Sequence, residues 1–88
     1  MDARELTTIN NAKSIIVLAE VAIATLGSAM ATEALAEARS LNDEIELVTD
    51  QEIRLGREPE TIDLVNEARR ALGRAELAAW EAANADIL

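Results

Sequence analysis

Apolar and polar positions along this chain follow the spacing of helices rather than strands. From Ser14 to Leu26 the sequence reads Ser-Ile-Ile-Val-Leu-Ala-Glu-Val-Ala-Ile-Ala-Thr-Leu, which puts apolar side chains on every side of a helix. Glu20 is the one ionisable group in this run. Such a helix has to be buried all round, and a chain of 88 residues has little other material to cover it. The first expectation is therefore self-association or a partner.

The first helix also carries a heptad pattern. Asp2, followed three residues later by Glu5, resembles a helix start. The β-branched residues that follow would also suit a buried strand, but spacing of seven favours a coiled-coil-like helix. One row of this pattern is Ile9, Ile16, Ile23 and Met30, and the row between is Ala12, Ala19 and Leu26.

Gly27 and Ser28 raise the question of where the first helix ends. Gly27 suits a C′ position, followed by a short loop and a cap at Thr32. Alternatively, the two small residues lie inside one long helix, 3–55, which would form a hairpin with a helix at 59–86. We favour the break because it does not leave half of a long helix bare. It predicts three helices, at about 3–26, 29–55 and 59–86.

The second predicted helix is amphipathic and ends before Pro59. Gly56 suits its C′ position, and Pro59 suits the first turn of a third helix, where Glu60 adds favourable negative charge. The apolar face is predicted to hold Ala34, Ala38, Leu41, Ile45, Val48 and Leu55. The opposite face carries Glu37, Asp43, Glu44, Glu46 and Asp50.

The third predicted helix presents methyl groups where leucine or isoleucine would be usual. Such a face lets helix backbones approach closely and requires a well-fitted neighbour. Trp80 and Ile87 project from beside this face and Leu77 points well away from it, which leaves an apolar surface that the chain itself does not cover. One row of small residues is Ala68, Ala75 and Ala82, and the other is Leu64, Ala71, Ala78 and Ala85.

Composition excludes several classes of function. Eight basic and 17 acidic residues give a net charge of −9, which disfavours binding to nucleic acids and anionic membranes. With neither cysteine nor histidine, the chain lacks a disulfide and the usual zinc and haem ligands, so we expect no cofactor and no metal. The bias toward alanine and arginine suits a GC-rich genome, whereas the lack of His, Cys, Phe and Tyr also suits an idealised designed bundle.

Candidate chemistry is sparse. Glu20, if buried, would have a raised pKa and could carry a proton. The simpler interpretation is that Glu20 lies on a solvent-facing strip of the helix or fixes the register of an oligomer. The acidic residues Asp43, Glu44, Glu46 and Asp50 lack the pattern of a calcium loop. Serines have no histidine to act as a base, so we expect a protein that is not an enzyme.

A membrane span is also disfavoured. The apolar part of the first helix ends at Leu26, which makes it too short to cross a bilayer, and no basic or aromatic residues flank it in clusters. No signal-peptide pattern follows Met1, so a cytoplasmic location is expected.

These observations predict a single all-α domain over 1–88, completed by oligomerisation. Its expected function is that of a non-enzymatic assembly module, a homo-oligomer formed through the isoleucine and alanine rows. The alternative is a small acidic adaptor or inhibitor that docks on a larger partner protein. The residues predicted at the interface are Ile9, Ile16, Ile23, Leu26, Ala68, Ala75, Leu77, Trp80 and Ala82.

Overall fold

In a computed structural model that describes residues 3–47 and 59–85, the described residues form three helices. They are α1 (Ala3–Ala24), α2 (Ala29–Leu47) and α3 (Pro59–Ala83). The all-α, three-helix prediction is confirmed, and Pro59 is the first residue of α3 as expected. The predicted extension of the second helix to 55 lies outside the described residues, as do Val48, Leu55 and Gly56.

The turn at 25–28 separates α1 from α2, so the alternative of one long helix is wrong. Gly27 has a φ of 85°, a left-handed conformation that glycine adopts without the steric cost of a Cβ. The Ser28 hydroxyl accepts a hydrogen bond from the Ala31 backbone N–H at 3.3 Å, which makes Ser28 the N-cap of α2. The prediction of a cap at Thr32 is wrong, because Ser28 already satisfies the first turn.

The three helices run up, down and up, with α1 in the centre of the arrangement. The short turn makes α1 and α2 antiparallel, and Asn11 Nδ2 donates to Glu44 Oε2 at 3.1 Å between them. The Thr61 hydroxyl donates to Glu5 Oε1 at 2.8 Å, which places the first turns of α1 and α3 side by side and makes these helices parallel. The contacts of α1 with both other helices are extensive, whereas α2 and α3 contact each other much less.

Alanines fill the contact between α1 and α3. Glu5 and Thr61 are 56 residues apart, and the same separation relates Ala12 to Ala68 and Ala19 to Ala75. These four alanines are at most 1% exposed. Small side chains at matching levels let the two backbones approach closely, so this contact is stabilised by dispersion at short range rather than by large buried areas. Ile15, Ile45 and Val65 are the largest side chains that are fully buried.

The heptad pattern of α1 is only half correct. Ala12 and Ala19 are buried as predicted, but their partners in the core are Thr8, Ile15 and Ala22 rather than the isoleucine row. The isoleucine row lies at the edge of this buried face, where Ile9 and Ile16 are half-buried and Ile23 is exposed. Met30 is 58% exposed and belongs to α2, so the turn interrupts the row. Where helices pack through alanine, the wider isoleucines are left at the edge.

Burial of the 14–26 run on every side is also wrong within one chain. Two helices cover α1 along one side, and its outer side remains in solvent. Val17 is 56% exposed, and both Ile23 and Leu26 are exposed at the end of the run. Within the single chain, Ile15, Ala19 and Ala22 are the buried residues of this run, and the others are half-buried or exposed.

Candidate interaction surface

The predicted interface residues fall into three structural groups. Leu77 and Trp80 are 57% and 55% exposed, and Ile23 and Leu26 are exposed near the turn. Ile9 and Ile16 are half-buried at the edge of the contact between helices. The three predicted alanines of α3 form the last group, in which Ala68 and Ala75 are buried and Ala82 is exposed.

Ala68 and Ala75 belong to the interior of the chain, so their prediction as interface residues is wrong. Both are completely buried where α3 packs against α1. The alanine row does meet a close neighbour, but that neighbour is a helix of the same chain. Ala82, the next residue of this row, is exposed because it lies level with the turn, beyond the end of α1.

Most of the exposed large apolar side chains lie at one end of the bundle. We call this the turn end, because it holds the turn at 25–28. The separation of 56 residues that relates α1 to α3 places Leu77 and Trp80 level with the last turn of α1. The turn end therefore carries Ile23, Leu26, Met30, Leu77 and Trp80, whereas only Leu6 and Val17 lie elsewhere among the exposed large apolar residues described.

The α3 outer face, defined here as Gly73, Leu77 and Trp80, points away from the core. These residues are spaced by four and three positions, so they line one side of the helix. Leu77 follows the buried Ala75 by two positions, which is a rotation of about 200° around the helix. A Cβ built at Gly73 would meet no atom within 4 Å. One end of this face is thus open, and the large apolar groups follow one and two turns further along the helix.

A groove separates α2 from α3 at the turn end. It has a volume of about 390 Å³ and lies between two helices that contact each other little. Residues 26–29, from the turn and the start of α2, line it. Its walls are mostly small or apolar: Ala31, Thr32 and Leu35 from α2, and Ala79, Ala82 and Ala83 from α3.

Charge divides the surface between two helices. The exposed surface of α2 carries Glu33, Glu37, Asp43 and Glu44. By contrast, residues 68–83 of α3 contain three arginines and two glutamates, a net charge of +1 in a chain of net charge −9. At the border between the two helices, Arg39 Nε lies 3.5 Å from Glu76 Oε2. The α3 outer face therefore lies in a stretch of α3 with a small net positive charge.

Glu20 lies in solvent and does not form a buried carboxylate site. Its side chain is exposed on the outer side of α1. The buried carboxylate is instead Glu5, which is 4% exposed and accepts the hydrogen bond from Thr61. The sequence did not reveal this, since Glu5 resembles an ordinary first-turn glutamate. Its heptad relation to Ala12 and Ala19 was the available signal.

Three residues that the sequence pattern did not predict to be exposed are large, apolar and exposed: Leu6, Val17 and Met30. Val17 was expected in a run buried on all sides, and Met30 was counted in the isoleucine row although the predicted second helix begins at 29. The position of Val17, two residues before the buried Ala19, places it on the far side of α1. Only the identity of the core face makes that position informative.

The apolar character of α1 also meets the length and composition criteria for a membrane span. Ala3–Ala24 contains a stretch with a mean hydropathy of 1.3, of which 28% is buried inside the bundle. A core helix and a signal sequence meet the same criteria.

Within the described residues, no group of three or more acidic side chains is arranged to hold a metal ion.

Comparison with known proteins leaves the surface as the main guide to function. No family model matches the chain, and no curated protein or solved structure matches it at a significant level.

Proposed function

We propose that this protein is a non-enzymatic assembly module that forms a homo-oligomer through its turn end. The observation that carries the proposal is the concentration of large exposed apolar side chains there, with Leu77 and Trp80 both more than half exposed. Contiguous apolar surface on a small domain marks an interaction site, because leaving it in water is costly. Trp80 supplies the kind of large aromatic anchor on which interfaces depend most.

Self-association also explains why so much apolar surface is left by so small a chain. A domain of this size buries only about 60% of the surface of its unfolded chain, so oligomerisation is a common source of further stability. The isoleucine row contributes Ile23 to the turn end, while Ile9 and Ile16 remain partly accessible beside α3. We also propose a cytoplasmic location, with which a chain free of disulfides is compatible.

Solution mass at micromolar concentration, measured by analytical ultracentrifugation, tests this function. We expect a discrete oligomer, and Leu77→Gln and Trp80→Gln should each weaken it while leaving the helical circular dichroism unchanged. Leu6→Gln is the matched control, since Leu6 is 50% exposed but lies at the opposite end of α1. A well-folded monomer at this concentration would exclude the homo-oligomer.

An adaptor that docks on a basic partner is the second candidate. The exposed acidic side chains of α2 favour it, since they would steer a positively charged surface. Ionic strength separates the two functions. Salt should weaken binding to a basic partner, whereas it should leave self-association unchanged or strengthen it, because each copy carries a charge of −9.

A further inference from the structure

We propose that two copies of the chain pair through their α3 outer faces in antiparallel orientation, with Gly73 at the closest approach. This inference rests on the proposed function and specifies the contact that would carry it. The occupant of the face is a second copy of the same chain, and the reason lies in the pattern of charges along α3.

Gly73 lies in the interior of α3 and is exposed. Glycine in the interior of a helix costs about 1 kcal/mol relative to alanine. Within one chain nothing requires it, since a Cβ there would meet no atom within 4 Å and Gly73 is exposed. A second helix crossing at this point would require it, because the absence of a side chain lets two backbones approach closely.

Leu77 and Trp80 supply the apolar part of the contact. Both lie on the same side of α3 as Gly73, one and two turns further along the helix. In an antiparallel pair, the open surface over Gly73 of one copy faces the region of Leu77 in the other. Large groups next to an open position are complementary in shape, and a two-fold axis uses each of them twice.

Charge decides the orientation. Arg70, Arg74 and Glu81 lie along one flank of the outer face, at intervals of four and seven residues, and all three are exposed. An antiparallel two-fold pair brings Arg70 of one copy next to Glu81 of the second copy, and this happens twice per dimer. A parallel two-fold pair would instead bring this flank against the opposite flank of the second α3, so Arg70 and Glu81 would not meet.

The same surface also avoids the general repulsion between acidic chains. A contact through the outer side of α2 would bring Glu33, Glu37 and Glu44 of two copies together. The α3 outer face lies within residues 68–83, where the net charge is +1. In the antiparallel pair, the α3 helices of the two copies overlap along residues 68–83. This follows because a register that places Arg70 opposite Glu81 also places position 68 opposite position 83.

Charge reversal tests the pairing directly, with the dimer dissociation constant measured by sedimentation equilibrium. We expect Arg70→Glu and Glu81→Arg each to weaken the dimer about tenfold, and the double variant to restore it to within about threefold. The Glu81→Arg result is the more informative, because that change lowers the net negative charge and would otherwise strengthen association.

Matched controls separate the specific pair from net charge. Glu67→Arg makes the same charge change on an exposed residue of α3 that lies outside the overlap, and Lys13→Glu makes the opposite change on α1. Both controls should leave the dissociation constant within about threefold of the original chain, apart from the uniform effect of charge that added salt removes.

Gly73→Ala should have opposite effects on the stability of the monomer and on the affinity of the dimer. It should raise the thermal midpoint of the dilute monomer, because alanine favours the helix, and it should weaken the dimer about tenfold by adding a methyl group at the contact. Strengthened or unchanged association in this variant overturns the close approach at Gly73.

The results also separate this inference from the proposed function. If the charge reversals act no more strongly than their controls, or if the double variant fails to recover, the antiparallel pairing is overturned. A remaining loss of association in Leu77→Gln would leave the assembly function intact in that case. A monomer at micromolar concentration overturns both.

Discussion

The two faces of α3 show an inverted distribution of side-chain size. The inner face packs against α1 largely through Ala68 and Ala75, which are completely buried. The outer face carries Leu77 and Trp80, each more than half exposed. Methyl groups hold the chain together at short range, while large apolar groups are left for another molecule. Apolar character alone thus does not distinguish the core of this protein from its interaction surface.

Two leucines on the same helix provide the strongest test of this contrast. Leu72 is 4% exposed and Leu77 is 57% exposed, although they are only five residues apart. We expect Leu72→Ala to lower the free energy of unfolding by about 2–5 kcal/mol, because it leaves a cavity in the core. Leu77→Ala should change the stability of the dilute monomer by less than about 0.5 kcal/mol. Urea denaturation below the association range measures both, and equal losses would contradict the division of α3 into two faces.

Enlarging a buried alanine should have the next largest effect. Ala75 has no exposed surface, and Ala19 of α1 lies at the matching level. Ala75→Leu should destabilise the fold by about 1–3 kcal/mol, since the two backbones must move apart. Ala36→Leu is the control, because Ala36 is exposed on α2. If Ala75→Leu is tolerated as well as the control in thermal denaturation, the close packing of α1 and α3 is wrong.

The third largest loss of stability is expected at Thr61, the polar residue on the buried face of α3. Thr61 is 2% exposed and donates its hydroxyl hydrogen to the carboxylate of Glu5. Thr61→Val keeps the shape but removes a donor to a buried carboxylate, so we expect a loss of about 1–3 kcal/mol. Thr7→Val is matched, since the Thr7 hydroxyl bonds the Ala3 carbonyl at an exposed site. Similar chemical-denaturation midpoints for the two variants would show that the buried hydrogen bond contributes little.

The smallest effect is expected at the border between the two faces. Glu76 pairs with Arg39 across α2 and α3, but both side chains are about half exposed, at 42% and 54%. Water and salt screen such a pair, so Glu76→Gln should cost less than about 1 kcal/mol. A larger loss in thermal denaturation at physiological salt would mean that this pair, rather than the alanine contact with α1, holds α3 in place.

Local sequence was sufficient for the helices but not for the surface. The break at Gly27, the start of α3 at Pro59 and the exposure of Leu77 and Trp80 were all predicted. These features depend on turn chemistry and helical spacing, which act over a few residues. The assignment of Ala68 and Ala75 to an intermolecular contact failed, because spacing shows that a face is apolar without showing which helix covers it.

What remained for the tertiary structure was the choice of which apolar row turns inward. Heptad spacing is present in both the isoleucine row and the alanine row of α1, and nothing local separates them. The register of α1 against α3, seen in the hydrogen bond between Glu5 and Thr61, brings alanine level with alanine and leaves Ile23 outside. Helix type and helix ends are local properties of this chain, whereas the division between core and surface depends on contacts between residues 56 positions apart.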